Sequence, residues 1–305
     1  LKILGLRGGA IGDLILTLPA LREIRTSYPE AEIELFGVLP QARLAVPEYV
    51  DRVERVDAIE LVPLFSEGEL PEPLRNRLNR FDLAVNFFAD PGSVISRNLI
   101  AAGVKKVVGG PKHASLETHA VRYLAGVLDP LGLTLRNPVP TLAIGLRPAH
   151  TSRFAFHPGS GSAQKNWPVG RWIELIARCD TLFDDFVLVG GEADETVIRD
   201  LLSRCQCRRL KIVLGADLIE LGRELNDCSV FAGHDTGVTH LAAAVGTPTV
   251  ALFGPTNPNI WAPLGTHVRV VRSPTAHMDA IQVAAVVAAV KNVNRTRTGE
   301  TPILH

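Results

Sequence analysis

One rhythm constrains this chain more than any other feature: short apolar runs alternate with amphipathic stretches of helical period, and the series occurs twice. In the first half the runs are Lys2 to Leu6, Glu32 to Gly37, Asp82 to Phe87 and Lys105 to Gly109, with helices expected at about 13–28, 93–102 and 116–131. In the second half they are Arg153 to His157, Phe186 to Gly190, Leu210 to Val213, Val230 to Gly233 and Thr249 to Phe253. Helices are expected there at about 169–181, 195–203, 218–226, after Thr236, and 278–293. Strands buried on both faces read as continuous apolar runs, and parallel neighbours must be joined by a crossover, usually a helix. The pattern therefore predicts an α/β protein of two Rossmann-like, doubly wound domains facing a central cleft.

The proline-punctuated, aperiodic stretch from Asn137 to Ala149 marks the connection. Domains are expected at 1–148 and 149–293, followed by a polar tail at 294–305. The last helix could belong to either domain and pack back on the first.

Composition enters as a set of exclusions. With 46% hydrophobic and 21% charged residues, the 305-residue chain has material for a large core and is unlike a disordered sequence. Basic and acidic residues number 32 each, 17 of each within residues 1–150, so neither half has the basic excess of a nucleic-acid binder. No apolar run approaches the roughly 18 residues of a membrane span. The opening residues read as a buried strand rather than a signal peptide, and Cys179, Cys205, Cys207 and Cys228 form neither a CxxC pair nor a disulfide framework. The expectation is a cytoplasmic protein.

Four segments carry candidate chemistry. Gly8-Gly9-Ala10-Ile11-Gly12-Asp13 follows the first strand and leads into a helix. Its glycines permit a tight turn and close approach of a ligand, but it is neither a GxGxxG fingerprint nor a P-loop. Asp13 reads either as a first-turn acid that favours the helix dipole or as a general base. His157-Pro158-Gly159-Ser160-Gly161-Ser162-Ala163-Gln164-Lys165-Asn166-Trp167-Pro168 joins a strand to a helix and combines small donor residues with a lysine, a set suited to a diphosphate or to an ordinary surface loop. In Gly233-His234-Asp235-Thr236-Gly237-Val238-Thr239-His240, Asp235 is expected to cap a helix whose first-turn amides can hold an anion, with His240 one turn along. Gly254-Pro255-Thr256-Asn257 turns the chain after another strand and offers polar contacts. Asp184, Asp185 and Asp194 fall on or beside expected helix surfaces and make no convincing metal site.

Taken in order, GGAIGDLILTLPAL, HPGSGSAQKNWP and HDTGVTHLAAAVGTPTVALFGPTNPNIWAPLG resemble glycosyltransferase family 9, the ADP-heptose:lipopolysaccharide heptosyltransferases. The resemblance implies a GT-B fold with an amino-terminal acceptor domain and a carboxyl-terminal nucleotide-sugar domain. It implies inverting transfer, with Asp13 as general base, and Ser160, Ser162, Lys165, Thr236, Gly237 and His240 at the donor diphosphate. Asp235 and Gly12 would orient the loops, Glu192 would meet the ribose, and Ala216, in Leu214-Gly215-Ala216, the adenine edge. Lys105, Lys112 and His119, with Lys106, His113 and Arg122 nearby, would form an acceptor patch. The donor would be ADP-heptose and the acceptor a lipopolysaccharide core or related envelope glycan, with no metal or other cofactor, no nucleic acid, and membrane contact only through the lipid-linked acceptor. Two other classes remain open at this point: a nucleotide-sugar 2-epimerase of the same fold and a non-catalytic nucleotide-sugar-binding protein.

Overall fold

The computed structural model describes residues 1–110, 117–145 and 152–298. Its contacts divide the chain into two compact units, Leu1–Pro140 and Thr141–His305. The division precedes the expected boundary near 148, which lies among residues outside the described ones. Two contacts explain it: the Leu142 amide donates to the Ala244 carbonyl at 2.8 Å, and Ile144 packs against Gly222, so the segment after Pro140 joins the second unit.

The first unit is built on a five-stranded sheet of β1 (Lys2–Arg7), β2 (Glu32–Gly37), β3 (Arg52–Arg55), β4 (Leu83–Asn86) and β5 (Lys106–Gly109), in the order β3-β2-β1-β4-β5. Every pairing is parallel. Helices α1 (Ile11–Ser27), α2 (Glu72–Leu78), α3 (Val94–Ala101) and α4 (Ala120–Ala125) accompany it. Leu4, Leu6, Phe36, Leu78, Phe81 and Leu99 share one buried cluster, which holds one face of the sheet against α2 and α3. β3 and α2 were not expected, because Arg-Val-Glu-Arg is a charged edge strand without apolar alternation. The helix expected at 116–131 is shorter: α4 ends at Ala125 and a 3-10 turn, Gly126–Leu131, replaces the rest. Gly126 and Pro130 account for the break, the one a poor helix former and the other lacking an amide donor.

The second unit carries β6 (Arg153–His157), β7 (Asp185–Gly190), β8 (Leu210–Leu214), β9 (Val230–His234), β10 (Thr249–Phe253) and β11 (Val268–Arg272), ordered β11-β10-β9-β6-β7-β8 and parallel throughout. The crossovers contain α5 (Val169–Cys179), α6 (Glu195–Arg204), α7 (Leu218–Asn226), α8 (Gly237–Ala244) and α9 (Pro258–Trp261), and α10 (Val283–Thr298) closes the unit. β11, another edge strand, with exposed Arg269 and Arg272, was not expected. The last helix begins later than residue 278 and continues through 294–298, so the expected tail is helical there and its remainder lies outside the described residues. Val286, Val290 and Val293 of α10 are buried with Phe154, Trp172 and Leu252, which assigns this helix to the second unit instead of the first.

Both sheets reverse direction once. The chain runs from β6 outward through β7 and β8, then returns to β9 on the other side of β6, and in the first unit it reverses between β1 and β4. At such a switch point the two crossovers leave in opposite directions, and the carboxyl ends of the central strands open a crevice.

Phe154 anchors the second core, 5.2 Å from the Phe183 ring and 5.9 Å from that of Phe186 by centroids. Phe154→Ala is expected to lower the unfolding free energy of this unit by about 3–5 kcal/mol, read by chemical denaturation; a loss under about 1 kcal/mol would contradict this packing.

Candidate active site

The switch point of the second sheet gathers two of the four motifs, because one follows β6 and the other β9. The loop after β6 ties itself down: Ser160 Oγ lies 2.6 Å from both the Ser162 carbonyl and Asn166 Oδ1, and the Ser162 amide reaches back to Ser160 Oγ at 3.3 Å. Lys165 ends a short 3-10 turn, Ala163–Lys165, and donates to the Asp235 carbonyl at 2.9 Å, with Asp235 Oδ2 at 3.7 Å. Trp167 is fully buried and its indole N–H donates to the Ile281 carbonyl at 3.0 Å, anchoring the far end of the loop.

His234 clamps the loop from β9. Its Nδ1 stands 3.0 Å from the Gly159 carbonyl, which can only accept, while its Nε2 receives the Trp167 amide at 2.9 Å. These partners select one neutral tautomer. Burial pushes the His234 pKa down to about 3, more strongly than the Gly159 carbonyl raises it.

A second buried pair lies beneath the same loop. His157 Nε2 and Asp194 Oδ2 are 2.9 Å apart, and the same carboxylate oxygen accepts the Gly191 amide at 2.9 Å. Burial is the largest influence on Asp194 and pushes its carboxyl up. The His157 hydrogen bond and charge, with the Gly191 amide, outweigh that effect and hold it below the usual range. A Cβ at position 159 would stand 1.8 Å from Asp194 Oδ1, so only glycine lets the loop rest on this carboxylate. Asp194 is thus a buried partner of His157 instead of a residue on a helix surface, and Asp185 opens a strand.

Thr236, not Asp235, is the N-cap residue of α8, and Gly237 is its first helical residue. Asp235 is engaged by Lys165, which corrects the expected capping role. His240 is buried on α8. Beyond β7 and β8, Glu192 and Gly191 share with Ile198, Leu202, Leu214 and Gly215 a largely apolar cavity of about 700 Å³. The structure therefore brings together the two segments assigned to ribose and adenine, although Gly215, not Ala216, lines the cavity. After β10, Asn257 caps α9 through the Asn259 amide, and Thr256 Oγ1 is buried without a hydrogen-bond partner.

In the first unit, Asp13 is the third residue of α1. Its Oδ2 accepts the Ala10 amide at 2.9 Å and its Oδ1 accepts from Arg7 Nη2 at 2.9 Å. It is thus a first-turn capping acid and also a partly exposed carboxylate held in one orientation at the carboxyl end of β1. Burial lowers the Arg7 pKa, against the opposing pull of Asp13. The turn itself depends on Gly9, whose φ is +96° and whose Cβ would lie 2.5 Å from Asp13 Oδ2. Gly12 is already inside the helix and does not shape the loop.

The expected acceptor patch is not one patch. Lys105 precedes β5 and pairs with Asp82 at 2.5 Å, at the amino end of the sheet. Arg122 lines a pocket of about 280 Å³ with Gly109 and Gly110 at the other end of that strand, and His119 caps α4 by accepting the Val121 amide. Lys112 and His113 lie outside the described residues.

His157 and His234 stand within motifs of the sequence without a role assigned by local pattern, and Arg7 lies just before the first of these motifs. A histidine that closes an otherwise apolar strand, just before a glycine loop, is the available signal for the first two.

Among the described residues, no group of three or more His, Cys, Asp or Glu is placed to hold a metal ion.

Because His234 is neutral in the fold and free to protonate when unfolded, the unfolded state takes up the extra proton as pH falls. Stability is expected to drop on acidification below about pH 6, by the order of 1 kcal/mol per pH unit, and to continue falling towards the folded-state value. Denaturation of wild type and His234→Asn between about pH 4 and pH 7 tests this; an equal slope in both would exclude His234 as its source.

The model of glycosyltransferase family 9 (heptosyltransferase) matches residues 136–287. Lipopolysaccharide heptosyltransferase 3 of Escherichia coli is 25% identical over 292 residues, covering 83% of this chain and 83% of that protein. A glycosyl transferase family 9 structure from Veillonella parvula superposes with a TM-score of 0.79 at 19% identity, covering 97% of each chain. An E. coli ADP-heptose LPS heptosyltransferase II does so with a TM-score of 0.78 at 19% identity, covering 98% of this chain and 100% of that one. The GT-B architecture is the fold these structures share with it. The protein belongs to glycosyltransferase family 9.

Proposed function

We propose that the protein transfers heptose from ADP-heptose to a lipopolysaccharide core, with inversion at the anomeric carbon. The observation that carries the donor side is the convergence, at the β6/β9 switch point, of Lys165, the Ser160–Ser162 loop and the amino end of α8. Together they offer a charge, hydroxyls and unpaired first-turn amides to a diphosphate. The large apolar cavity beside Glu192 suits a purine and its ribose. The family relatives supply the sugar and the acceptor class.

In this reading Asp13 accepts the proton of an acceptor hydroxyl, whose oxygen attacks the anomeric carbon. The bond from that carbon to the diphosphate breaks, and its electron pair leaves with ADP. Lys165, Ser160, Ser162, Thr236, Gly237 and His240 hold the departing diphosphate, where preorganised donors act on the charge as it develops. Lys165 is already bound to Asp235, so the donor exchanges one polar partner for another instead of meeting a bare cation. Arg7 holds Asp13 pointed in one direction, which suits a base that must be in place before the acceptor arrives. Glu192 would take ribose hydroxyls, and the segment at Gly215 and Ala216 the adenine edge. The protein's own groups would neutralise the diphosphate without a metal.

Among the described residues no helix is long and apolar enough to cross a membrane. With a lipid-linked acceptor, this reading places the protein at the cytoplasmic face of the inner membrane, held there through its substrate. For that acceptor, Arg122 at the end of β5 is the charged group best placed in the first unit, with His119 nearby.

Asp13→Asn is expected to lower the transfer rate by about 10²–10⁴-fold while ADP affinity changes little, since only the proton acceptor is lost. Full turnover by this variant in a heptosyl-transfer assay would overturn the mechanism. Lys165→Ala is expected to weaken ADP binding in calorimetry and to slow transfer by roughly a hundredfold; unchanged values in both would remove Lys165 from the site. Conversion of ADP-heptose without an acceptor would mark an epimerase instead.

A further inference from the structure

Beneath the donor loop, a line of polar groups runs from buried Asp194 through buried His157 to the partly buried Thr236. Asp194 is held in the ionised range and can only accept, so the proton between it and His157 sits on Nε2. The other ring nitrogen, Nδ1, faces Thr236 Oγ1 at 3.4 Å. Thr236 Oγ1 has one further inward neighbour, Thr239 Oγ1 at 3.3 Å. The Thr239 hydroxyl donates its own proton to the His234 carbonyl, so towards Thr236 it too can only accept.

We propose that Asp194 and His157 are positioning residues that set the direction of the Thr236 hydroxyl, so that nucleotide-sugar binding is tied to the protonation of His157. When His157 is neutral, its bare Nδ1 and Thr239 both draw the single Thr236 proton inward. The threonine then turns lone pairs towards an arriving phosphate. When His157 carries a second proton, Nδ1–H donates to Thr236 Oγ1, and the hydroxyl proton is released to point at the phosphate oxygen. The Asp194 carboxylate stabilises that imidazolium, and a bound diphosphate stabilises it further through Thr236. Linkage is reciprocal, so a donor that prefers the protonated form takes up a proton from solvent as it binds.

The charged and titratable groups that face this line come from three elements. Asp194 lies in the turn after β7. His234 ends β9 and, with its pKa near 3, stays neutral across the range in which histidines usually titrate. Lys165 comes from the loop after β6 and is paired with Asp235. The loop rests directly on this carboxylate, since Asp194 Oδ1 occupies the space of a Cβ at Gly159.

The inference rests on Thr236 being a diphosphate contact, and the test separates the two. ADP-heptose is the probe, because its diphosphate is esterified at both ends and does not itself titrate near neutrality. Calorimetric titration between about pH 5.5 and pH 8 should show affinity rising as pH falls, by up to about tenfold per pH unit. Two buffers of different ionisation enthalpy should report net proton uptake by wild-type protein. Asp194→Asn, which keeps the volume under Gly159, and Thr236→Val should each flatten the profile to within about twofold across the range while retaining wild-type circular dichroism. Binding by wild type with no pH dependence and no proton uptake would overturn the inference and leave the proposed function standing, as would a wild-type slope in both variants. Failure of wild type to bind ADP-heptose at any pH would overturn the proposed function, and this inference with it.

Discussion

Everything functional in the second unit follows from one constraint of parallel sheets: a strand cannot pair in parallel with its successor unless the chain crosses over. The chain leaves β6 towards β7, returns to β9, and so sends the two central loops apart. What remains between them is a crevice rimmed by strand carboxyl ends, loop amides and the amino end of α8. The same reversal between β1 and β4 exposes the turn that carries Asp13. The fold thus creates two edges where polar chemistry can stand next to a dense apolar core.

The cost of that placement is polar groups held far from water, and the protein meets it by pairing them closely. His234 is buried neutral and uses both ring nitrogens on backbone partners from one loop. Asp194 is buried charged, with His157 and the Gly191 amide on one oxygen. An unpaired group in either position would cost of the order of several kcal/mol. Both pairs tie the donor loop to the strands beneath it, so the groups offered to a diphosphate are held in position before any ligand arrives. In the first unit Arg7 does the equivalent for Asp13, through two contacts to its backbone carbonyl and one to its carboxylate.

Periodicity made the central strands legible, because β1, β4, β6, β7, β9 and β10 are buried on both faces and read as largely apolar runs, while β2 sets Ile33, Leu35 and Phe36 around the buried Glu34. The edge strands β3 and β11 escaped for the opposite reason: three of the four residues of β3 and two of the five of β11 are arginine or glutamate facing water. Glycine loops were legible as loops, but the reason for Gly159 was not. Its necessity comes from a carboxylate 35 positions later in the chain, which no local pattern reveals. The acceptor patch failed on the same ground, since Lys105 and His119 are near in sequence while β5 carries the chain from one end of the sheet to the other.

The sequence by itself determined the class of fold, the order of the motifs and the family to which they belong, because these depend on local residue type and spacing. Only the tertiary structure decided that Thr236 and not Asp235 caps α8, that the last helix packs on the second unit, and that His157 and Asp194 meet. Those outcomes depend on which distant groups share a dry space. Burial and hydrogen bonding between residues far apart in the chain set them, and hydrophobic period carries no record of either.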